Sequence, residues 1–489
     1  MTAFRWPVSP PGPDPALLDA VLAAACDAVA PGHHSELAIE IAPVSRVPVL
    51  QGRLPDWSMV VAAGHAAARR WVRDRGTNPG DLVVEVDAAD EDLAAEPADG
   101  TPAVAAPRAE PAERPGTVTG DLPDDADVVV IGAGICGLMT GYRLIGAGLR
   151  VAVVDAAPRI AAGTTAWNNG MVHPGHDPQP GTAKALLNVR GNEQWAAIAE
   201  EIGLPFDRRP SLVVGFGPAD DEGLRRYAQR ARVNGVPGAE LIGGADARRL
   251  EPRLSGAVTA ALCTPSTASI DPVRAAQLLA AAIRRRGGTV TLTAPVERIT
   301  TEDGAVTGVR IGERHVAARL VVNAAGVHAD TLAATAGSRR YSIHPRRGTL
   351  ILFDPGADET YPISVGPVPG RYSKGGGMTT RPDGLTTGGP TAVEQRSRTA
   401  LPPIQAEIDH ILALGAKIYP CFPLAAVTAV GSAVRAVTYS EDFVVGPAQG
   451  VPGLIDVAGT QSPAVASAPA IADHVLATLR GLGHVPNHR

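Results

Sequence analysis

Gly132, Gly134 and Gly137, in G-x-G-x-x-G spacing, and the acid Asp155 downstream of them are the residues whose types and spacing most directly carry chemistry in this chain. That chemistry is the holding of a dinucleotide. The first glycine permits a tight turn, the second lets backbone approach a pyrophosphate, and the third allows a helix to pack close to a strand. An acid placed like Asp155 accepts hydrogen bonds from a ribose hydroxyl. These residues act only if particular elements present them. Asp127–Ile131 is an apolar, β-branched run of the kind a buried parallel strand needs. A helix over Gly134–Gly148 then aims its N-terminal N–H groups and positive dipole end at the phosphates, and Arg150–Asp155 is the second strand. The plainer alternative is a glycine-rich turn in an ordinary α/β unit, but strand, turn, helix, strand and acid all stand in register.

Two further segments end strands in a way that suits a nucleotide. Val322–His328 closes with Ala-Ala-Gly, so that backbone at Ala325 and Gly326 can approach a ligand, and Thr293–Val296 can meet an adenine through its backbone. Each is also readable as a simple strand terminus.

Bulk properties narrow the class. The 489 residues suffice for two or three domains with large cores. A net charge of −6 implies no nucleic-acid partner and no electrostatic attraction to a membrane. No run approaches the ~20 apolar residues of a membrane span, and the Pro-rich N-terminus lacks an apolar signal core, so the expected location is cytoplasmic. The four cysteines, Cys26, Cys136, Cys263 and Cys421, are scattered without a C-x-x-C pair, so neither a zinc site nor an iron–sulfur cluster has its ligands, and no metal is expected. Cys136 and Cys421 are expected to be buried thiols. His33 and His34 lack acids at ligand spacing, and Asp220, Asp221 and Glu222 read as the first turn of a helix. Arg284–Arg286 suits a helix C-terminus.

Residues 1–86 precede the glycine motif. They contain helical patterns at Pro15–Val29 and Met59–Arg75 and apolar runs at Ser35–Ile41 and Leu82–Val86. They read as a separate α+β module of unknown role, or else as an extension packed on the main body. Residues 87–125, rich in Ala, Pro, Asp and Glu, read as a linker. Beyond them, Pro272–Arg286 predicts a helix, Thr289–Leu292 and Leu320–Ala325 strands, and Val306–Ile311 with His315–Ala318 a strand pair. Short runs at Pro210–Val214, Val258–Cys263, Gly348–Phe353, Gly377–Thr380 and Gly384–Gly388 suggest a mixed sheet in a second domain, and Gly453–Leu482 predicts strand, glycine turn and long helix.

From Asp127 to His484 the chain resembles FAD-dependent oxidoreductases of the D-amino-acid oxidase superfamily, nearest the branch of glycerol-3-phosphate dehydrogenase and L-2-hydroxyglutarate dehydrogenase. The resemblance rests on Gly132–Gly137 with Asp155, on Gly163–Gly175 (GTTAWNNGMVHPG), and on Leu250-Glu-Pro252, Ser269–Pro272, Asn323–Gly326, Lys374–Thr380, Gly389–Ala392, Asp442–Pro447 and Ala458–Pro463. It implies an α/β chain with a Rossmann-type FAD-binding domain assembled from residues 126–205, 265–335 and 436–489. Into this is inserted a mixed-sheet (α+β) substrate domain from 206–264 and 336–435. In that branch the segment matching Gly163–Gly175 runs along the flavin, which makes Thr164, Thr165, Asn168, Asn169 and Gly170 flavin contacts beside Gly132, Gly134, Gly137, Asp155, Val296, Ala325 and Gly326. Gly459, Gln461 and Ser462 would lie at the flavin ring, where the following helix could stabilise a reduced, anionic ring.

The same resemblance assigns chemistry. A small anionic 2-hydroxy acid or polyol phosphate would give hydride to flavin N5 while His173 takes the hydroxyl proton; alternatively His173 only hydrogen-bonds flavin or backbone. Arg435 matches an arginine that holds a substrate carboxylate, although Ala433 and Ala436 replace the usual glycine and proline around it. Lys374 matches a lysine near the substrate anion. Arg371, Tyr439, Arg346 and Arg347 are weaker anion-site candidates. Trp167, a departure from the family pattern, either covers the flavin or fills core. Two other readings stay open: oxidation of a C–N bond in an amino or imino acid, or an electron-transfer subunit docking a partner protein through residues 1–86. Oxygen, a quinone or a protein are all open as electron acceptor. All chemistry is assigned beyond residue 126, so deleting residues 1–120 should leave flavin bound.

Overall fold

The structure is a computed structural model and describes residues 15–29, 31–41, 47–75, 82–88, 120–356, 361–369, 373–399, 402–422 and 426–485. Most of the expected linker lies outside the described residues. The motif's two strands, Val128–Ile131 and Val151–Val154, pair in parallel and have every residue buried. They sit in a six-stranded sheet ordered Thr289–Thr291, Val151–Val154, Val128–Ile131, Leu320–Asn323, Leu454–Ala458, Val444–Pro447, parallel except for the last pair. Runs such as VVVI form strands here because each face of the sheet is covered, so alternation gives way to continuous apolarity. Helices Ile135–Gly146, Ala183–Ile202, Pro272–Arg285 and Ala464–Gly481 cover one face, burying Leu138, Trp195, Leu279 and Ile471 among others. A three-stranded antiparallel sheet, Arg298–Glu302, Ala305–Ile311 and Arg314–Ala317, covers the other through Ile299, Val309 and Val316.

The second large sheet is mixed and has nine strands. Its spine is the antiparallel pair Ile343–Phe353 and Val427–Thr438. The five short apolar runs identified from sequence fall in strands Ser211–Gly215, Ala260–Thr264, Ile343–Phe353, Ser373–Thr380 and Thr386–Thr391 of this one sheet. Strand Val427–Thr438, which carries Arg435, has no alternation to give it away, because ten of its residues from Ala429 on are buried or nearly so. Helix Gln405–Ile418 closes the far side with Ile408 and Ile411. Cys421 is exposed, contrary to expectation: its neighbours Tyr419 and Phe422 turn into the core and leave it pointing out. Cys136 is buried as expected. Asp220 stands in the first turn of helix Pro218–Asn234, where its carboxylate accepts from the Phe216 N–H at 2.8 Å.

Residues Leu37–Ile41, Pro48–Leu54 and Val83–Ala88 form a third sheet, with helices Pro15–Asp27 and Trp57–Arg75 packed on it around Leu50, Val60 and Trp71. Strand Pro48–Leu54 had no sequence signal beyond a Pro-Val-Leu start. This small unit docks on the main body. The ring of Tyr439 joins its core, and the Ser342 hydroxyl accepts from the Val84 N–H at 3.0 Å.

Where the central parallel strands end, Asn323 lies opposite Asp456, and both are fully buried. One Asp456 oxygen accepts from Asn323 Nδ2 (3.0 Å) and from the Tyr341 hydroxyl (2.9 Å), while the other has no partner. Burial pushes the carboxyl up to about 6. An acid raised in the folded state binds its proton more tightly there than in the unfolded chain, so stability falls as pH rises from about 4 through 6. Asp456→Asn removes that loss. Relative to wild type, it should gain roughly 2–3 kcal/mol between pH 4 and pH 7.5, measured by chemical denaturation at both pH values.

Candidate active site

The turn after Val128–Ile131 shows why its glycines are required. Gly132 has φ +114°, and a Cβ there would stand 2.3 Å from the Ala324 carbonyl oxygen. A Cβ on Gly137 would stand 2.0 Å from the Gly132 oxygen, so the helix could not pack where it does. Gly134 differs: its nearest neighbour would be Thr165 Oγ1 at 3.4 Å, and it borders open space. Gly134 caps helix Ile135–Gly146 without any side-chain hydrogen bond. The Thr165 hydroxyl accepts from the Ile135 N–H at 3.2 Å. Asp155 accepts from the Ala133 and Ala157 N–H groups at 2.6 and 2.8 Å, and burial raises its pKa.

These residues border a cavity of about 990 Å³, at the upper end of ordinary ligand pockets (~300–1,000 Å³). It opens at the C-terminal ends of the parallel strands, where ligands of open α/β sheets bind, and its opposite wall is the nine-stranded sheet. Thr164, Thr165, Asn168 and Asn169 all line it, as do Val296, Ala325, Gly326, Gln461 and Ser462. Thr164 donates to the Val434 carbonyl at 2.6 Å, tying this segment to strand Val427–Thr438. The side-chain oxygens of Asn168 and Asn169 accept from the N–H groups two residues on, which shapes the turn before His173. Gly170 and Gly459 stand behind the wall. A Cβ on Gly170 would meet the Ile270 carbonyl oxygen at 2.1 Å, and one on Gly459 would meet the Asp442 oxygen at 2.8 Å. Trp167 both lines the cavity and fills core, its ring lying against Gly431 beside Leu350, Leu352 and Ala429.

His173 is on the cavity wall, and its carbonyl is held by Asn188 and Asn192 at 2.7 and 3.1 Å. Arg435 is there too, only 6% exposed. Its Nη2 donates to the Thr391 carbonyl at 2.7 Å, its Nη1 has no partner, and no carboxylate among the described residues makes an ion pair with it. Gly348 makes room for it: a Cβ there would be 2.5 Å from Arg435 Nη2. Burial and the Arg346 charge lower its pKa to about 10, which leaves it cationic at neutral pH. The Lys374 backbone belongs to strand Ser373–Thr380, and its side chain lies outside the described residues, as does Arg371. Arg346 is bound by Glu394 (2.5 Å) and Glu441 (2.8 Å), Arg347 by Glu407 (3.2 Å), and Tyr439 is buried under the N-terminal unit. None of these three borders the cavity.

Sequence reasoning missed three wall residues. His176 is 8% exposed, with an unpartnered Nδ1 and its ring edge-on to Tyr227 at 5.7 Å; only its closeness to His173 could have flagged it. Tyr227 reaches the wall from helix Pro218–Asn234, and Arg398, paired with Asp330 at 2.7 Å, comes from a stretch with no motif.

A family model described as FAD dependent oxidoreductase matches residues 127–478. The chain belongs to this family. The oxidoreductase is 28% identical over 358 residues to a glycerol 3-phosphate dehydrogenase of Caloramator mitchellensis, covering 73% of this chain and 74% of that protein. It is 28% identical over 276 residues to the L-2-hydroxyglutarate dehydrogenase of Escherichia coli K12, covering 55% and 64%. Among solved structures, it resembles the dithionite-reduced, FAD-bound L-α-glycerophosphate oxidase of Mycoplasma pneumoniae, with a TM-score of 0.69, 24% identity, and 73% and 95% of the two chains covered. The fold expected from sequence, α/β with an FAD-binding sheet and a second mixed sheet, is the observed one. The residues present fit the cofactor. A helix N-terminus whose cap residue, Gly134, brings no side chain and has space in front of it suits a pyrophosphate, and Asp155 stands at the adjoining strand end. Two substitutions separate folding from cofactor binding. Gly137→Ala should lower the melting temperature and the yield of flavin-loaded protein. Gly134→Ala should fold normally yet weaken flavin affinity at least ~10-fold, as read by flavin release during gel filtration and by fluorescence titration of the apoprotein.

Proposed function

We propose that this oxidoreductase oxidises the carbinol carbon of a small anionic 2-hydroxy acid or polyol phosphate. The observation that carries the reading is Arg435, a buried guanidinium on the cavity wall with one N–H edge unpartnered and no carboxylate paired to it among the described residues. A buried, unneutralised cation is costly unless an anion meets it. The named activities of the relatives agree, since glycerol 3-phosphate and 2-hydroxyglutarate are both anionic secondary alcohols. When bound, FAD supplies the two-electron acceptor, taking hydride at N5. Gly132, Gly134, Gly137 and Asp155 would hold its pyrophosphate and ribose. Val296 would meet the adenine. Thr164, Thr165, Asn168, Asn169, Ala325, Gly326, Gln461 and Ser462 would line the rest, with Gly170 and Gly459 shaping the turns behind.

In this reading Arg435 fixes the substrate anion through its free Nη1 edge, and Lys374, whose backbone belongs to strand Ser373–Thr380 of the same sheet, is the second cation assigned to that anion. His173 accepts the hydroxyl proton as the C–H bond breaks, so the carbon gives up a hydride, its hydroxyl oxygen gives up a proton, and the C–O bond becomes a carbonyl. In the same reading the FAD-binding domain is drawn from residues 126–205, 265–335 and 436–489 and the substrate domain from 206–264 and 336–435, the boundary at 435/436 falling within strand Val427–Thr438.

The test is anaerobic titration of the flavin-loaded protein with glycerol phosphates, 2-hydroxy acids and amino acids, following loss of oxidised-flavin absorbance. Reduction by an anionic alcohol is expected, and reduction by amino acids alone would transfer the reading to C–N oxidation, for which Arg435 would hold the carboxylate equally well. With the reducing substrate in hand, Arg435→Lys should lower kcat/KM by about 100-fold or more. His173→Asn should lower kcat by about 10²–10⁴-fold with flavin retained.

A further inference from the structure

The family match begins at Asp127, yet the unit before it is built onto the turn that leads out of the strand bearing Arg435. That turn, Tyr439–Asp442, reaches the site in three directions. Glu441 Oε2 accepts from Gln461 Nε2 at 2.6 Å, and Gln461 is 1% exposed and lines the cavity. Glu441 Oε1 accepts from Arg346 Nη2 at 2.8 Å, and Arg346 lies directly across the strand pair from Arg435. The Asp442 carboxylate accepts from the N–H groups of Ala183 and Lys184 at 3.0 and 2.8 Å, fixing the start of the helix whose Asn188 and Asn192 hold the His173 carbonyl. Glu441 itself has φ +60°, a left-handed conformation that a non-glycine residue keeps only when its surroundings hold it.

Helix Trp57–Arg75 supplies those surroundings. His65 Nδ1 donates to the Tyr439 carbonyl at 2.6 Å, and its Nε2 stands 3.8 Å from Glu441 Oε1. Its ring packs edge-on to His344 at 4.9 Å and to Tyr439 at 5.6 Å. Next to it, Gly64 lets the helix lie on the Tyr439 ring, where a Cβ would be 2.3 Å from two ring carbons. The charged and titratable groups facing His65 are His344, Glu441, Arg346 and Tyr439. Burial, chiefly, brings its pKa down to about 4, so at neutral pH it is an uncharged donor to backbone that leaves the carboxylate of Glu441 to Arg346 and Gln461.

We propose that the N-terminal unit is a built-in part of the flavin site, with His65 the positioning residue that clamps the Tyr439–Asp442 turn and thereby sets Gln461 and Arg435 on the cavity wall. This rests on the reading above that Gln461 faces the flavin. The consequence is that the unit tunes the cofactor: chemistry beyond residue 126 depends on a clamp supplied before residue 89.

The test uses full-length, flavin-loaded protein. Gly64→Ala improves the helix's own propensity but drives it off the Tyr439 ring. His65→Gln keeps a donor of similar reach, and Glu441→Gln weakens the same link from the other side without touching the N-terminal unit. Each is compared with Gln461→Ala in flavin absorption spectrum, midpoint potential and kcat against KM. Gly64→Ala and Glu441→Gln are expected to keep flavin but shift its oxidised-to-reduced ratio at fixed potential by about tenfold, ~30 mV for a two-electron couple, in the direction Gln461→Ala shifts it. His65→Gln should shift it less. Combining Gly64→Ala with Gln461→Ala should add nothing further, since both act through one contact chain. If Gln461→Ala shifts the flavin while Gly64→Ala and Glu441→Gln change only the melting temperature, or if the effects are additive, the clamp is refuted. If Gln461→Ala leaves spectrum and potential at wild-type values, the flavin-facing reading fails and the proposal falls with it.

Discussion

A cation kept charged inside protein without a neutralising partner is the constraint around which this molecule is organised. Arg435 sits in the long antiparallel pair directly opposite Arg346, and two like charges placed so would push both apart. The structure resolves this by asymmetry. Arg346 receives two carboxylates, Glu394 and Glu441, and Arg347 next to it receives Glu407, which also accepts from the Thr349 hydroxyl at 2.7 Å. Arg435 receives one backbone carbonyl and a space left by Gly348. The charge that remains on the cavity side is therefore that of Arg435.

That arrangement ties distant parts of the chain together. Glu394 comes from a short edge strand, Glu441 from the turn after the long strand, and helix Trp57–Arg75 hydrogen-bonds to that turn through His65. The parallel sheet imposes a different condition. Its strands are buried on both faces, so they end together at one edge, and backbone amides with small residues are what they present there. Between this edge and the Arg435 sheet lies the cavity, with the glycine turn on one wall and the Arg435 guanidinium on the other.

Much of this was legible in the chain because it depends on local pattern. A run of four β-branched or apolar residues, a turn that only glycine can make and a helix after it fix their own geometry, so the Gly132–Asp155 unit and the Ala464–Gly481 helix stand where the sequence places them. The short runs of the mixed sheet were also readable as strands, though nothing in them states which strand pairs with which. The long strand Val427–Thr438 and strand Pro48–Leu54 were not readable. The first is buried almost throughout, and the second mixes buried and part-exposed residues without alternation. Cys421 was misjudged because exposure is decided by which way a chain leaves a helix end, and a residue's type does not report that.

The sequence by itself determined the family and the FAD cofactor, through motifs whose order along the chain can be read without knowing how they fold together, and it determined the glycine turn, whose strand, turn and helix are set by residues adjacent in the chain. Only the tertiary structure decided which of several arginines keeps a free charge. Arg346, Arg347 and Arg435 look alike as letters, and the carboxylates that pair with the first two lie tens of residues away from them. It also decided that His176, Tyr227 and Arg398 share a wall with His173, and that helix Trp57–Arg75 rests on Tyr439. Pairing across a sheet and docking between separate units are set by long-range burial and charge compensation, and those energies leave no local period in a sequence.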